Sequence, residues 1–262
     1  MEEYINKIIN DDCFNILPKI KDESIDLILI DPPYGLGFNF ENENLSKKEK
    51  DIFIEKYCKE IKRIIKQNGN IVIFCSQELG NDLYFKLLNL GLFYQNEIIW
   101  VRPTGHNITK KLAMYHEKIL TFTKQKHHTT FNLDIIRIKS IYAEKDKRLN
   151  PKGKNPGDVW SINNLLGKKN ERIMNENNQA LHPTQKPIEI INKLIMLYSN
   201  ENDLILDFFS GTGTTAIACI DNKRNFICIE KDKDYYKSSI NRINDYQENE
   251  NINGIKYRII GK

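Results

Sequence analysis

The stretch Asp31-Pro32-Pro33-Tyr34 carries the most specific chemistry of the chain. It follows Ile25 to Ile30, an apolar run rich in β-branched residues and typical of a strand buried on both faces of a parallel sheet. The two prolines lack N–H groups and restrict the preceding residues, so the chain leaves the strand in a stiff, extended form. A carboxylate, a proline carbonyl and an aromatic ring are suited to binding a planar ring that bears an NH₂ group. The simplest alternative is a turn at a strand end with an incidental Tyr.

A second group of residues, Gly211, Gly213 and Glu230, has the spacing of a nucleoside site. The glycines stand between a predicted strand and a predicted helix, where backbone can approach a ligand closely. Ala216 occupies the third position of the dinucleotide fingerprint, and no Gly-Lys-Ser/Thr of a P-loop follows. Glu230 ends the next strand, 17 residues after Gly213, where a carboxylate can accept from both hydroxyls of a ribose. The pattern favours a nucleoside-type cofactor, although a Gly-x-Gly alone also begins many helices for packing.

Three motifs together resemble the S-adenosylmethionine-dependent amino-methyltransferases of DNA, which methylate N6 of adenine or N4 of cytosine. The motifs are Asp-Pro-Pro-Tyr at 31–34, His-Pro-Thr-Gln-Lys-Pro at 182–187 and Asp-Phe-Phe-Ser-Gly-Thr-Gly-Thr-Thr at 207–215, joined by Glu230. The catalytic motif precedes the cofactor motif, as in the permuted β-class, which carries its target-recognition insertion between them. The resemblance covers nearly the whole chain except about 125–180 and the last dozen residues. It departs from many relatives at Phe208, where they have Pro.

The resemblance assigns the cofactor site mainly to strand ends. Beside the methionine part of the cofactor it places Asp207, Phe209, Gly211, Gly213 and Thr214. It places Glu230 on the ribose and Asp12 near the adenine, and it assigns Thr184 and Lys186 to the cofactor carboxylate. Taken alone, the segment 182–187 would be a turn before a helix that begins near Pro187. The full set of predicted cofactor residues is Asp12, Cys13, Asp31, His182, Thr184, Lys186, Asp207, Phe208, Phe209, Gly211, Gly213, Thr214, Thr215, Glu230 and Lys231.

The same resemblance makes Asp31, Pro32, Pro33 and Tyr34 catalytic. Hydrogen bonds from the target NH₂ to the Asp31 carboxylate and the Pro32 carbonyl would favour a tetrahedral nitrogen, whose lone pair then points at the methyl group. The base must leave the duplex at a cost of roughly a few kcal/mol. Stacking on Tyr34, worth on the order of 1–3 kcal/mol, would offset part of that cost. Asp rather than Ser at position 31 favours adenine N6 over cytosine N4 within this resemblance.

Other functions fit parts of the sequence. Cytosine-N4 methylation is the first rival, since it uses the same chemistry. An RNA or protein methyltransferase with a similar Pro-Pro-Tyr signature is next, but those enzymes usually place the glycine motif before the catalytic one. From a different class, the chain could be a non-catalytic DNA-binding protein on a methyltransferase scaffold. Both motifs are intact, which favours an active enzyme that serves in a restriction-modification system or as an orphan methylase.

A basic middle segment points to DNA. Residues 101–181 carry 16 Lys and Arg against 7 Asp and Glu, a balance of +9, whereas the remainder carries 23 against 28, a balance of −5. This asymmetry favours a polyanionic partner over a merely soluble surface. The predicted partner is double-stranded DNA, contacted by Arg102, Lys110, Lys111, Lys152 and Lys154. The resemblance leaves open a homodimer and a cognate restriction endonuclease that acts on the same site.

The elements that must position these residues alternate between strands and helices, which predicts an α/β fold with a doubly wound, mostly parallel sheet. Seven strands are predicted near 5–9, 25–30, 70–75, 93–101, 117–123, 203–207 and 225–230. Helices are predicted at 47–67, where Asn68-Gly69 would end the helix, and at 79–88, 188–198, 214–220 and 232–246, with 248–253 disordered. The resemblance implies a circularly permuted Rossmann-like fold, with a catalytic half at 1–124, a target-recognition insertion at 125–181 and a cofactor-binding half at 182–262.

Composition narrows the class of protein further. Hydrophobic residues make up 40% of the 262, which is ample for a core, and no apolar run approaches the ~18 residues of a membrane span. The acidic start, Glu2-Glu3, is unlike a signal peptide, so a cytoplasmic protein is expected. The five cysteines form no Cys-x-x-Cys pair, which predicts buried reduced thiols and no metal site. His127-His128 is predicted to be solvated.

Overall fold

The structure, a computed structural model, describes residues 1–33, 46–102, 110, 112–139, 150–165, 171–174 and 177–252, with side chains up to residue 246. Tyr34 and Lys111, which the sequence assigns to the catalytic and DNA-binding sets, therefore lie outside the described residues. So does the sequence from 253 to the last residue.

One mixed sheet organises the described part of the chain. Its eight strands are β1 (Lys7–Asn10), β2 (Ile25–Ile30), β3 (Ile65–Cys75), β4 (Phe93–Val101), β5 (His116–Thr123), β6 (Val159–Ser161), β7 (Leu204–Asp207) and β8 (Asn225–Glu230). They lie in the order β1-β8-β7-β2-β3-β5-β4-β6. The five strands β1, β8, β7, β2 and β3 are mutually parallel. Strand β5 is antiparallel to both β3 and β4, and β6 is parallel to β4. The mostly parallel α/β fold is confirmed, and β1 lies beside β8 as the permuted order implies.

The helices cover both faces of the sheet. They are α1 (Cys13–Ile16), α2 (Lys47–Ile64), α3 (Gln77–Asn89), α4 (Leu133–Ile136), α5 (Ile188–Tyr198), α6 (Thr214–Asp221) and α7 (Lys233–Ile252), with short 3₁₀ turns at Glu2–Tyr4 and Leu17–Lys19. Within β2, Ile28 and Ile30 pack with the helices α1 to α3, whereas Leu27 and Leu29 pack with α5 and α6. This alternation explains the continuous apolar run, because both faces of β2 are buried.

Three predicted elements need correction. The sheet has an eighth strand, β6, which lies inside the polar insertion and was too short to be recognised in the sequence. Helix α2 ends at Ile64 rather than near 67, because Ile65 has extended backbone (φ −67°, ψ 135°) and pairs with Ile25 as the start of β3. The segment Asn68-Gly69 thus lies within β3 and does not cap a helix. Helix α7 continues through 248–252, where disorder was expected.

The chain reverses its winding between β2 and β7. Helix α2, which follows β2, packs on one face of the sheet, whereas α6, which follows β7, packs on the other. The two strands are adjacent and parallel, with Leu27 opposite Ile205 and Ile28 opposite Leu206. Ligands in open α/β sheets bind beyond the carboxyl ends of the strands at such a switch point. The carboxyl ends of β2 and β7 carry Asp31 and Asp207.

The remaining predictions concern single residue types. All five cysteines are buried and free, as expected. His127 is exposed, but the prediction that His128 is solvated is wrong: its Nδ1 lies 2.6 Å from Asn70 Oδ1 and its ring stacks on Phe131. Burial lowers the pKa of His128 to about 4. None of the helices in the described ranges is long and apolar enough to span a membrane.

Candidate active site

A cavity of about 540 Å³ opens at the carboxyl edge of β2, β7 and β8. Its size is within the usual range for small-molecule sites. The predicted residues that line it are Asp12, Cys13, Asp31, Pro32, Pro33, His182, Thr184, Lys186, Asp207, Phe208, Phe209, Gly211, Thr214, Thr215, Glu230 and Lys231. Asp31 and Asp207, which begin two motifs 176 positions apart, thus line one cavity. Gly213 is the one described member of the predicted cofactor set that does not line it.

The turn from β7 into α6 needs two glycines for different reasons. Gly211 has φ +51°, and a Cβ there would lie 3.3 Å from His182 Nε2. Gly213 has φ +78° and caps α6, and a Cβ there would lie only 2.8 Å from Ser239 Cβ on α7. Gly211 therefore shapes the cavity wall, whereas Gly213 permits close packing of the turn against α7.

Two carboxylates, the buried Asp207 and the half-buried Glu230, hold this turn in place. Asp207 accepts from Thr215 Oγ1 at 2.6 Å and from the Phe209 N–H at 3.1 Å. Glu230 accepts from the Gly211 N–H at 2.7 Å and, through its other oxygen, from the Asp232 N–H at 2.8 Å. Burial raises the pKa of each carboxyl, and these hydrogen bonds lower it. The effect of burial is the larger, so each pKa is about 7.

The end of the cavity near β1 is built by Asp12 and its neighbours. Asp12 caps α1 by accepting from the Phe14 N–H at 2.9 Å, and its other oxygen lies 3.5 Å from Lys231 Nζ. Cys13 is buried beside it, and burial raises the pKa of its thiol to about 12. Cys13 is thus a neutral wall residue.

An aromatic wall completes this end, and sequence reasoning missed one of its members. Phe53 of α2 lines the cavity with Phe209, and their ring centroids lie 6.1 Å apart. Phe53 also meets Phe14 edge to face at 5.4 Å. The buried residues of α2 begin at Ile54 and recur at spacings of three and four, and Phe53 falls outside that series, so the helix pattern carries no signal that assigns Phe53 to the site. The departure at Phe208 is accommodated in the core, where its ring packs against Tyr57 at 6.2 Å.

The segment 182–187 is folded against the turn that follows β7. The His182 ring lies against Gly211 and packs on Tyr235 at 4.7 Å. Its Nδ1 accepts from the Thr184 N–H at 3.2 Å, and burial followed by the nearby Lys186 charge lowers its pKa to about 4. Gln185 fastens the segment to the end of the insertion, donating to Glu171 O at 2.9 Å and accepting from the Ile173 N–H at 3.1 Å.

Lys186 projects into the cavity beneath the catalytic motif. Its side chain is 6% exposed, and its Nζ forms an ion pair with Asp31 and lies 3.4 Å from Glu117 Oε2. Burial alone would lower the pKa of Lys186, but the attraction of Asp31 and Glu117 outweighs it and raises that pKa. In this structure the cation thus contacts Asp31, a contact that the sequence did not predict.

The predicted DNA-binding residues lie in different surroundings. Arg102 turns inward to Glu117, with Nη1 3.1 Å from Oε1. Lys110 and Lys154 are exposed. Lys152 is exposed too but pairs with Asp134 at 2.5 Å. Within the described insertion, Arg137 also contacts Asp134, to which it donates a hydrogen bond of 2.6 Å.

Comparison with known proteins identifies the family. The model of a DNA methylase family of the N6/N4 type matches residues 25–241. This chain belongs to that family. It is 34% identical to the type II methyltransferase M.BglII of Bacillus subtilis, over 89% of this chain and 68% of the relative. It is 33% identical to the DNA adenine methyltransferase YhdJ of Escherichia coli strain K12, over 90% of this chain and 82% of the relative.

A solved structure agrees with the family assignment. The crystal structure of the M1.HpyAVI–SAM complex superposes with a TM-score of 0.64 at 27% identity, over 91% of this chain and 98% of that one. The predicted resemblance to S-adenosylmethionine-dependent DNA amino-methyltransferases is therefore confirmed. The matched residues 25–241 include all three motifs and Glu230.

Proposed function

We propose that this DNA methyltransferase transfers a methyl group from S-adenosylmethionine to N6 of adenine in a base turned out of the duplex. The observation that carries the proposal is the shared cavity: Asp31, at the end of β2, and the turn that follows Asp207, at the end of β7, line one space of about 540 Å³. An acceptor for the target amine and a site for a nucleoside therefore face each other.

The cavity fits the cofactor in several respects. Glu230 and Asp207 supply carboxylate oxygens along one side, and the rings of Phe53 and Phe209 supply an apolar wall. Ser210 Oγ, in the same wall, is buried without a hydrogen-bond partner among the described residues. We assign Glu230 to the ribose hydroxyls and the aromatic wall, with Asp12, to the adenine. The remaining predicted cofactor residues that line the cavity complete the site.

Asp31 and Pro32 orient the target amine in this proposal. S-adenosylmethionine supplies an electrophilic methyl group bonded to a sulfonium. The amine is a poor nucleophile because its lone pair is delocalised into the ring, and hydrogen bonds to the Asp31 carboxylate and the Pro32 carbonyl localise that pair on nitrogen. As the amine nitrogen bonds to the methyl carbon, the bond from that carbon to sulfur breaks and S-adenosylhomocysteine is the product. Asp31 also stabilises the positive charge that develops on the amine and helps pass the surplus amine proton to water. Stacking of the base on Tyr34 stays a prediction, as does the catalytic role of Pro33.

Two features support adenine as the base. Position 31 is Asp, which the resemblance associates with adenine more than with cytosine. One relative that is 33% identical is named a DNA adenine methyltransferase. The partner is double-stranded DNA, with Lys110, Lys111, Lys152 and Lys154 as contact residues and 125–181 as the recognition region. Arg102, which was predicted with them, turns inward to Glu117 and is left out of this set.

Methylation of DNA by the purified chain tests the proposal. The protein is incubated with methyl-labelled S-adenosylmethionine and DNA of mixed sequence, and the DNA is then digested to nucleosides and analysed by mass spectrometry. Labelled N6-methyladenine is expected. N4-methylcytosine would overturn the choice of base. Cofactor and DNA binding without any transfer would favour the non-catalytic alternative.

A further inference from the structure

Four side chains of alternating charge lead away from the catalytic motif. Asp31 pairs with Lys186, Lys186 Nζ lies 3.4 Å from Glu117 Oε2, and Glu117 Oε1 lies 3.1 Å from Arg102 Nη1. Glu117 is 9% exposed and the Lys186 side chain 6%. Buried charges are retained when they are paired and hydrogen-bonded, so each member depends on its neighbours.

The strand register brings Glu117 to this place. β5 runs antiparallel to β3, so its first residues lie at the edge where the parallel strands end. Glu117 is opposite Trp100 of β4, and the Arg102 N–H donates to Tyr115 O at 2.7 Å, which continues the ladder one step further. Two strands of the sheet therefore hold Glu117 and Arg102 rigidly beside the site. Glu117 does not belong to any of the three sequence motifs.

We propose that Glu117 is a positioning residue for methyl transfer, acting through Lys186. It shares the Lys186 ammonium with Asp31, which contacts that cation through Oδ2, so the cation fixes the Asp31 carboxylate in place while Glu117 balances part of its charge. Asp31 then keeps the capacity to accept from the target amine. This inference rests on the proposed function, since it presupposes that Asp31 accepts from an amine during transfer.

Charge balance supports this role. Among the described residues, the titratable groups that face Lys186 include Asp31 from the end of β2, Glu117 from β5 and His182 from its own segment. The Phe74 ring of β3 lies 5.2 Å from Lys186 Nζ. Arg102 in turn faces Glu117, and its Nε is buried without an acceptor among the described residues. Asp31 is the nearer of the two carboxylates, and without the Glu117 charge it would face the buried ammonium without the second one. The ion pair would then tighten and Lys186 would lose its proton more readily.

The test compares Glu117→Gln and Glu117→Asp with Glu97→Gln. Glu97 is a matched control, because it also forms an ion pair, at 3.0 Å and between β4 and β5, but its partner is Lys118 and not Lys186. For Glu117→Gln we expect kcat to fall by about tenfold or more while KM for the cofactor stays within about threefold. The alkaline limb of its kcat profile should move to lower pH, because Lys186 keeps its proton less firmly. Glu117→Asp should lie between wild type and Gln.

Each outcome decides the proposal. A Glu117→Gln variant with the kcat and pH profile of Glu97→Gln would overturn it, and so would a loss of activity confined to KM. Thermal melting shows whether the variants fold. If Glu117→Gln does not fold, Glu117→Asp decides alone: a lower kcat with a shifted alkaline limb supports the positioning role, and control-like values refute it. Wild-type protein without transfer activity would instead refute the proposed function.

Discussion

The Gly211 N–H donates a 2.7 Å hydrogen bond to Glu230 Oε2 and thereby ties the turn after β7 to the end of β8. The other oxygen of Glu230 accepts from the Asp232 N–H, so the carboxylate also fixes the chain that enters α7. One side chain thus shapes the cavity wall and faces the space assigned to the ribose. These two hydrogen bonds fix the orientation of the carboxylate and of its remaining lone pairs. Even a small change of this side chain should therefore alter the cavity.

Replacement of Glu230 by Gln should weaken cofactor binding by roughly 1–3 kcal/mol, the range for a hydrogen bond to a charged group. The amide offers one acceptor where the carboxylate offers two, and its NH₂ would face either the Gly211 or the Asp232 N–H. Titration calorimetry with S-adenosylmethionine measures the change. Glu201→Gln is the control, since Glu201 is an exposed partner of Lys223. An unchanged dissociation constant for Glu230→Gln would remove Glu230 from the cofactor site.

Cofactor affinity should rise with pH through about 7 in the wild type. Burial raises the pKa of Glu230 from its ordinary 4.5 to about 7, and only the ionised carboxylate accepts from both hydroxyls. Stability of the free protein should follow the opposite trend, because a raised carboxyl pKa favours the folded state below about pH 4.5 and loses that contribution as pH rises through 7. Calorimetry and denaturant unfolding from pH 5 to 8 check both trends. In the Glu230→Gln variant both pH dependences should become weaker. They should not vanish, because the Asp207 carboxyl also has a pKa raised to about 7.

Replacement of Asp31 by Ala should abolish transfer while cofactor affinity stays within about tenfold. The main partner assigned to Asp31 is the target amine, and Lys186, which it holds, keeps Glu117 as a second anion. The fold should therefore survive the removal of one member of the pair. Calorimetry measures the affinity, with Gly211→Asp as the comparison that disrupts the cofactor wall. Equally weakened binding in the two variants would contradict this division of roles.

Replacement of Gly213 by Ala should destabilise the protein more than the same change at Gly91. The two residues have nearly the same positive φ, +78° and +77°, but a Cβ at Gly213 would lie 2.8 Å from Ser239 Cβ and one at Gly91 meets nothing within 4 Å. We expect about 1 kcal/mol at Gly91 from backbone strain and roughly 1–3 kcal/mol more at Gly213 from overpacking. Denaturant unfolding of the free protein measures both. Equal destabilisation would show that the close approach to α7 is relieved without cost.

Joint replacement of Lys152 and Lys154 by Gln should weaken DNA binding for all sequences alike. For each phosphate that the protein no longer neutralises, the slope of log K against log salt becomes shallower by about 0.9. The change should be smaller than that for two phosphates, because Lys152 also pairs with Asp134 whereas Lys154 is exposed. DNA titrations at several salt concentrations measure it, with Lys59→Gln and Lys223→Gln, two exposed cations paired with Glu55 and Glu201, as the control. An unaltered slope would move the DNA site away from this segment.

The sequence alone determined which runs form the parallel strands and where the site lies. Continuous apolar runs such as Ile25 to Ile30 marked strands that are buried on both faces, and motifs that directly follow such runs must meet at one edge of a parallel sheet. For that reason the sequence was sufficient to place Asp31, Asp207 and Glu230 at one edge. Their strands lie side by side, β2 next to β7 and β7 next to β8.

Only the tertiary structure decided which side chains meet within that edge. Glu117 contacts Lys186 because β5 is antiparallel to β3. An apolar run in the sequence does not indicate the direction of its strand, so this contact could not be predicted. Phe53 joined the cofactor wall because α2 packs with that side toward the strand ends. The different roles of Gly211 and Gly213 followed from what lies beside each, His182 in one case and α7 in the other. Contacts between residues far apart in sequence depend on register and helix rotation, and these are set by packing of the whole fold.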